Sequence, residues 1–289
     1  MAFIALLQSS PPWFITIISI FGLLVGSFLN VVIYRLPIMM ERDWRSQCDD
    51  LNNQTSELTA PFTLSVPRSR CPQCNHAITA LENVPLISYL FLGGKCKKCK
   101  AAISKRYPLT EALSGLLSGI VAWHFGFEWA CLGALLLTWS LIALTFIDID
   151  HQLLPDNITL PLMWLGIVFN IFAVYTDLAS SVIGAIAGYM SLWLVFHGFK
   201  LVTGKEGMGY GDFKLLAVLG AWFGWLILPS IILLSSLVGA IVGITLILFR
   251  QHERNTPIPF GPYLAAAGWI ALVWGDAITT GYLSWTGTG

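Results

Sequence analysis

The residues of this chain with the clearest potential for chemistry are aspartates at the ends of apolar segments. Asp148 ends one such segment in the sequence Phe-Ile-Asp-Ile-Asp, and Asp212 follows Gly-Tyr-Gly before another. A carboxylate at a membrane boundary is costly and is commonly functional. Two adjacent carboxyl groups that share one proton can activate a water molecule and polarise a peptide carbonyl. These aspartates therefore suggest an aspartic protease.

Three aspartates compete for the role of the first carboxylate. Asp156 follows a proline ahead of an apolar segment, which is typical of the start of a helix. Asp148 and Asp150 are two residues apart, so they point to different sides of a helix, and periodicity does not choose between them. Asp212 follows two glycines, which allow the backbone to turn tightly and to approach a bound peptide.

A second motif consists of two Cys-x-x-Cys pairs about twenty residues apart. Four thiolates at this spacing can enclose one zinc ion, and they leave it no open coordination position, so the metal is predicted to be structural. Two disulfides or four ordinary thiols are the alternatives, but a cytoplasmic segment is kept reduced. The remaining cysteines, Cys48 and Cys131, are interpreted as a loop thiol and a helix-packing thiol. The four predicted zinc ligands are Cys71, Cys74, Cys96 and Cys99.

The elements that carry these residues are those of a membrane protein. The chain is 56% hydrophobic and 11% charged, with a mean hydropathy of +0.72. We therefore predict an all-α polytopic membrane protein with about eight transmembrane helices. The apolar segments lie at 13–34, 109–126, 129–147, 158–176, 180–199, 214–228, 230–249 and 262–283. Recurring Gly-x-x-x-Gly pairs within them favour close helix packing.

Charge distribution predicts the topology. All Lys and Arg residues lie between Arg35 and Arg106, between Lys200 and Lys214, or at Arg250 and Arg254. By the positive-inside rule these stretches are cytoplasmic, which places the N-terminus in the periplasm. Both Asp148 and Asp212 then face the cytoplasm. The formal net charge of zero gives no electrostatic case for a nucleic-acid partner.

Three parts of the chain are expected on this basis. Residues 1–36 would form the first transmembrane helix. Residues 37–108 would form a small cytoplasmic insert held together by zinc, and residues 109–289 would form a seven-helix core that carries the aspartates. Within the insert, residues 41–57 have an acidic balance that could attract a basic peptide, but a solvated loop is the preferred explanation. These acidic residues are Glu41, Asp43, Asp49, Asp50 and Glu57.

The chain resembles a known family over nearly its whole length. The motifs that carry the likeness lie at 26–37, 71–74, 96–99, 148–156, 203–215 and 257–263. They are similar to those of the bifunctional type IV prepilin leader peptidase/N-methyltransferases of the bacterial inner membrane. The resemblance implies that Asp148 and Asp212 are the catalytic pair and that the four paired cysteines bind zinc.

The resemblance also implies the substrates and the reaction. A short basic leader would be cleaved after a glycine from type IV prepilins and type II secretion pseudopilins, at the cytoplasmic face of the membrane. The new N-terminal residue would then be N-methylated with S-adenosylmethionine. No dinucleotide-type glycine motif follows a strand in this sequence. Weak candidates for the methyl-donor site are Gly94, Lys205 and Glu206.

Two other functions are compatible with the aspartates alone. A presenilin-like intramembrane protease would also use a Gly-x-Gly-Asp element, but it would have no use for the cysteine-rich insert. A proton-coupled transporter could use Asp148 and Asp212 as relay carboxylates, with the insert as a scaffold. Membrane lipids are expected to surround the protein in each case, and the sequence does not indicate an oligomeric state.

Overall fold

A computed structural model describes residues 7–52, 61–205, 207–250 and 259–286. Within these ranges the chain is predominantly helical, and the only β structure is a pair of isolated bridges, Arg70 with Ala77 and Lys95 with Ala102. The chain divides into two compact units, Met1–Phe127 and Glu128–Gly289. The first contains the cysteine pairs, and the second contains Asp148 and Asp212.

The helices of the first unit are α1 (Pro11–Leu51), α2 (Ile87–Phe91) and α3 (Arg106–Phe125), with a 3-10 turn at Leu81–Asn83. The second unit contains α4 (Trp129–His151), α5 (Asp156–Ile171), α6 (Leu178–Thr203), α7 (Tyr210–Phe223), α8 (Leu228–Arg250) and α9 (Gly261–Thr286). Helix α1 continues through Pro37 to Leu51, so it runs well beyond the apolar segment predicted at 13–34.

Each predicted apolar segment overlaps a helix, although the segments 158–176 and 214–228 extend past the ends of α5 and α7. The chain is a helical membrane protein. By length and hydropathy, four helices of the described part can cross a membrane: Pro11–Leu51, Trp129–His151, Leu178–Thr203 and Leu228–Thr245. Helix α5 is apolar but shorter, and α7 has only 14 residues. The count of eight spans therefore stays a prediction.

Helices α1 and α3 pack through small residues, as the Gly-x-x-x-Gly spacing predicts. A Cβ at Gly26 would lie 2.7 Å from Glu111 Cα, and one at Gly22 would lie 2.6 Å from Ser118 Cβ. The Ser114 hydroxyl donates a hydrogen bond to the Gly22 carbonyl over 2.7 Å. Larger side chains at these glycines would separate the two helices.

Helix α7 is the buried centre of the second unit. Phe213 and Trp222 are the largest of its fully buried side chains. The backbones of α6 and α7 touch at Gly184 and Gly220, and a Cβ at Gly188 would lie 2.5 Å from the Leu216 carbonyl oxygen. A helix enclosed in this way needs neither the length nor the continuous apolar surface of a lipid-facing span.

Asn170 joins the end of α5 to the end of α7. Its side-chain amide donates to the carbonyls of Ala221 and Trp222 at 2.9 and 3.0 Å, and its Oδ1 accepts from the amides of Tyr175 and Thr176 at 3.0 and 3.2 Å. The side chain is fully buried. These four hydrogen bonds use its complete donor and acceptor capacity.

We expect Asn170→Ala to lower the free energy of unfolding by about 3 kcal/mol, because the substitution leaves buried backbone groups without partners. Denaturant titration of the purified protein in detergent micelles measures this loss. Asn157→Ala is the matched control, since Asn157 is an exposed residue of the same helix. Equal stability of the two variants would contradict the bridging role of Asn170.

Candidate active site and cysteine cluster

Asp148 occupies the last turn of α4, which ends at His151. Gln152 adopts a left-handed conformation with φ of 51°, and its amide donates to the Asp148 carbonyl over 2.9 Å. The Asp148 side chain is 5% exposed, whereas Asp150 is exposed. Burial thus separates two aspartates that periodicity alone does not distinguish.

Asp212 lies in the first turn of α7, immediately after the Gly209 N-cap. Its side chain is 7% exposed. The carboxyl groups of Asp212 and Asp148 are close enough to interact electrostatically, and the Gly209 backbone also contacts the Asp212 carboxyl group. The structure therefore brings together two buried carboxyl groups that are far apart in the chain.

Gly261, the first residue of α9, completes the surroundings of Asp148. Its backbone amide faces the Asp148 carboxyl group. A Cβ at Gly261 would lie 2.6 Å from Asp148 Oδ2, so any larger residue would force the Asp148 carboxyl group to move. Asp148 sits at the unfavourable C-terminal end of its own helix, and the N-terminal end of α9 provides a compensating positive dipole.

One oxygen of this site has an unmet hydrogen-bonding requirement. Asp148 Oδ2 is buried and makes no hydrogen bond of acceptable geometry to any described residue. Buried polar atoms are nearly always satisfied, and the exceptions commonly belong to functional sites. This oxygen is suited to bind a proton, a water molecule or a substrate group.

Leu154 occupies the space beside the two glycines nearest the aspartates. A Cβ at Gly211 would lie 2.8 Å from Leu154 Cβ, and one at Gly261 would lie 3.3 Å from Leu154 Cδ1. The expectation that both glycines before Asp212 leave room for a peptide therefore needs correction. Gly211 permits contact with Leu154, whereas a Cβ at Gly209 would have its nearest neighbours at 3.9 and 4.0 Å, an ordinary van der Waals distance.

Asp156 makes an ion pair with Lys214. Its carboxylate oxygens accept hydrogen bonds from Lys214 Nζ at 2.6 and 2.8 Å. Asp156 is the first residue of α5, in agreement with its predicted position at a helix start, and the pair ties α5 to the first turn of α7. Asp156 thus has a structural partner in α7.

We expect Gly261→Ala to lower catalytic activity about 100-fold. The added methyl group would push the Asp148 carboxyl group out of position, and a small misplacement of a reacting group can cost this much in rate. The measurement is the steady-state rate of substrate cleavage. Gly198→Ala is the matched control, since nothing lies within 4 Å of a Cβ at Gly198. Wild-type activity in Gly261→Ala would show that this contact does not position Asp148.

The four paired cysteines converge in the first unit. Their sulfur atoms all lie within 4.8 Å of one another and could hold a metal ion. The Cys71–Cys99 and Cys74–Cys96 sulfur distances are 3.8 and 3.9 Å. All four cysteines are free thiols, so the structure does not support the two-disulfide alternative. Sequence spacing correctly predicted this cluster.

The two cysteine pairs repeat one backbone conformation. Asn75 and Lys100, each directly after a pair, have positive φ values of 54° and 60°. Their amides donate to the carbonyls of Cys71 and Cys96 at 2.9 and 3.0 Å. This local repeat was not anticipated, although the equal spacing of the cysteines was the available signal.

Glu82 contacts residues that follow the first cysteine pair in the chain. The backbone amide of Thr79 and the imidazole of His76 hold the pKa of the Glu82 carboxyl group well below its usual range, at about 2. Lys97, from the second pair, lies 3.6 Å from the same carboxylate. Glu82 therefore links segments that precede and follow it in the insert.

Two polar residues of α1 have structural partners. Arg35 is buried and donates to the carbonyls of Thr63 and Pro67 at 2.9 and 2.6 Å. The Asn30 amide donates to the Tyr107 carbonyl over 3.1 Å. Both residues fasten the insert and α3 to α1, which explains them without contact to a substrate.

The two remaining cysteines differ in their surroundings. Cys131 is buried in α4, as predicted for a helix-packing thiol. Cys48 is exposed but lies in α1, so its prediction as a loop thiol is wrong. The cause is the continuation of α1 beyond Pro37.

The weak candidates for a methyl-donor site receive no specific support. A Cβ at Gly94 would lie 2.9 Å from the Tyr89 hydroxyl oxygen in the first unit. Lys205 is exposed in the turn after α6, in the second unit. Glu206 lies outside the described residues, as does Glu57 of the acidic segment.

Comparison with known proteins identifies the family. Residues 20–125 match the bacterial peptidase A24 N-terminal domain, and residues 135–244 match the type IV leader peptidase family. No solved structure matches the chain.

Several similar proteins carry the name prepilin leader peptidase/N-methyltransferase. The chain is 60% identical over 278 residues to that of Stutzerimonas stutzeri, covering 96% of each chain. It is 59% identical over 282 residues to that of Pseudomonas aeruginosa, covering 97% of each. These matches support neither a transporter nor a presenilin-like protease. The chain belongs to the prepilin leader peptidase/N-methyltransferase family, and it is an enzyme of that family.

Proposed function

We propose that Asp148 and Asp212 together hydrolyse the peptide bond that joins a prepilin to its leader. The observation that carries this proposal is the pairing of two buried carboxyl groups, one of which has an oxygen without a hydrogen-bond partner among the described residues. A structural ion pair would place a cation between them, whereas the nearby cation Lys214 is bound to Asp156. Family membership supports the same reaction.

The proposed reaction needs one proton shared by the pair. The ionised carboxylate removes a proton from water, and the resulting hydroxide attacks the carbonyl carbon of the scissile bond. The protonated carboxyl group donates its proton to the carbonyl oxygen. Collapse of the tetrahedral intermediate breaks the carbon–nitrogen bond, and the amine leaves with a proton from the pair. The leader carboxylate and a new N-terminus are the products.

Substrate choice follows from membrane depth and charge. A prepilin has an apolar N-terminal helix behind a basic leader, so its cleavage site would lie at the cytoplasmic surface of the inner membrane. The acidic residues Glu41, Asp43, Asp49 and Asp50 lie on the C-terminal part of α1, not in a loop. Glu41 is paired with Arg45. The other three could attract the basic leader of prepilins or type II secretion pseudopilins.

Zinc is the metal that suits the cysteine cluster. Tetrahedral coordination with zinc–sulfur distances of about 2.3 Å places sulfur atoms about 3.8 Å apart. The Cys71–Cys99 and Cys74–Cys96 sulfur distances, 3.8 and 3.9 Å, match this edge. Cys71, Cys74, Cys96 and Cys99 would fill all four positions, so the ion would stabilise the insert and would not take part in hydrolysis.

The second activity is methylation of the newly exposed N-terminus. S-adenosylmethionine would supply the methyl group when bound, and the family name supports this donor. Gly94, Lys205 and Glu206 remain the candidates for its binding site.

Mass spectrometry of a prepilin incubated with the purified protein and S-adenosylmethionine tests both activities. The expected product lacks the leader up to and including the glycine and carries one added methyl group. Omission of S-adenosylmethionine should leave cleavage intact and remove only the methyl group. An uncut prepilin, in the presence of intact and zinc-loaded protein, would contradict the proposed function.

A further inference from the structure

Helix α2 exposes an apolar surface in a part of the chain that is otherwise polar. Leu90 and Phe91 are 76% and 88% exposed, and Ile87 is 53% exposed. Leu81, in the neighbouring 3-10 turn, is 84% exposed. We call these four residues the α2 patch. Four large apolar side chains this exposed in one short segment indicate an interaction surface.

A hydrogen bond fixes the position of the α2 patch relative to α3. The Leu86 amide, which directly precedes α2, donates to Glu111 Oε2 over 2.9 Å. Glu111 is buried and its α-carbon lies against Gly26 of α1. It lies five residues after Arg106, the first residue of α3, or about 7 Å along the helix axis.

This position is close to the start of the apolar segment expected at 109–126. The apolar segment of α3 starts near Leu109, and both Tyr107 and Leu109 are exposed on its first turn. Because Leu86 is held at the level of Glu111, Ile87 and the rest of α2 begin at the same level. With α3 as a transmembrane helix, this level corresponds to the boundary between the acyl chains and the headgroups, and not to the aqueous part of the insert.

Positive charge follows the α2 patch directly. Lys95, Lys97, Lys98 and Lys100 are exposed, and Lys105 is exposed just before α3. Apolar side chains with adjacent lysines are the combination by which short helices bind to an anionic lipid surface. A pilin helix would complement the apolar residues but not this cluster of lysines, since the leader of a prepilin is itself basic.

We propose that α2 is an interfacial anchor that inserts Ile87, Leu90 and Phe91 into the anionic lipid leaflet and so holds the cysteine-rich insert against the membrane. The lysines that follow α2 bind the lipid headgroups. This anchoring does not depend on the reaction proposed for Asp148 and Asp212.

Photo-crosslinking from the full-length protein in lipid vesicles tests the anchor. Phe91 is replaced by p-benzoylphenylalanine, and the protein is reconstituted in vesicles of phosphatidylethanolamine and phosphatidylglycerol. Irradiation is expected to give an adduct whose mass equals protein plus one lipid. In vesicles of phosphatidylcholine alone, the yield of this adduct should fall severalfold.

The matched control places the same photoreactive residue at Leu51. Leu51 is 84% exposed, but it lies about 30 Å along α1 from Asn30, which is level with Tyr107 at the start of α3. The photoreactive residue at position 51 is expected to give at least tenfold less lipid adduct than the one at position 91. The proposal would be overturned if both positions gave equal amounts of lipid adduct. It would also be overturned if position 91 formed adducts with a prepilin or with a second copy of the chain but not with lipid. An unchanged yield in phosphatidylcholine would overturn the role of the lysines.

Discussion

Asp148→Asn and Asp212→Asn are each expected to lower the rate of prepilin leader cleavage by at least about 1,000-fold. Asparagine keeps the size of the side chain but can neither accept the proton of the attacking water nor hold the shared proton. Folding should be retained, since neither carboxylate forms an ion pair with another of the residues that the structure describes. The measurement is the initial rate of cleavage of a purified prepilin, followed by mass spectrometry.

Asp150→Asn is the control for both variants. Asp150 belongs to the same turn of α4 as Asp148 but is exposed. Its substitution should leave the cleavage rate within about twofold of the wild type, as expected for a surface position outside the catalytic pair. If Asp150→Asn is inactive and Asp148→Asn is active, the first carboxylate is wrongly assigned.

Cys71→Ser is expected to remove zinc from the protein and to unfold the insert. The free energy of zinc binding is coupled to folding, and for structural four-ligand sites it is of the order of 10 kcal/mol. A segment this small has little core of its own, so it depends on the metal. Elemental analysis should give one zinc per wild-type chain and clearly less in the variant. Limited proteolysis should cut residues 61–105 of the variant much faster than the same residues of the wild type.

Cys48→Ser separates the loss of a metal ligand from the loss of a thiol. Cys48 is an exposed cysteine in α1, outside the cluster. The zinc content of the Cys48→Ser protein and its resistance to proteolysis should equal those of the wild type. A wild-type preparation that is folded but contains no zinc would contradict the proposed metal, whatever the variants do.

The cysteine cluster and the two segments that carry the aspartates could be predicted because their signals are local. Four cysteines in two short pairs have few arrangements other than a metal site. Periodicity, by contrast, could not choose Asp148 over Asp150, because the choice depends on which side of α4 faces other helices. That information is tertiary, and it appears only in the burial of Asp148.

Other features of the site depend on contacts between distant segments. The roles of Gly261 and Leu154 arise from the approach of α9 to the end of α4, which no local pattern encodes. Helix α1 was expected to end near Pro37, since proline usually breaks a helix. It continues because proline can be accommodated in a long helix, and the buried Arg35 side chain holds the insert beside it. The chain of contacts through Asn170 was likewise not predicted.

The most direct test of the central claim, that Asp148 and Asp212 act as one catalytic unit, is a single-turnover measurement of leader cleavage by the wild type, both single asparagine variants and the double variant. Groups that act together show strongly non-additive losses. The double variant is therefore expected to be no slower than the slower single variant. A single variant that cleaves at the wild-type rate, or a double variant whose loss equals the product of the two single losses, would contradict the central claim.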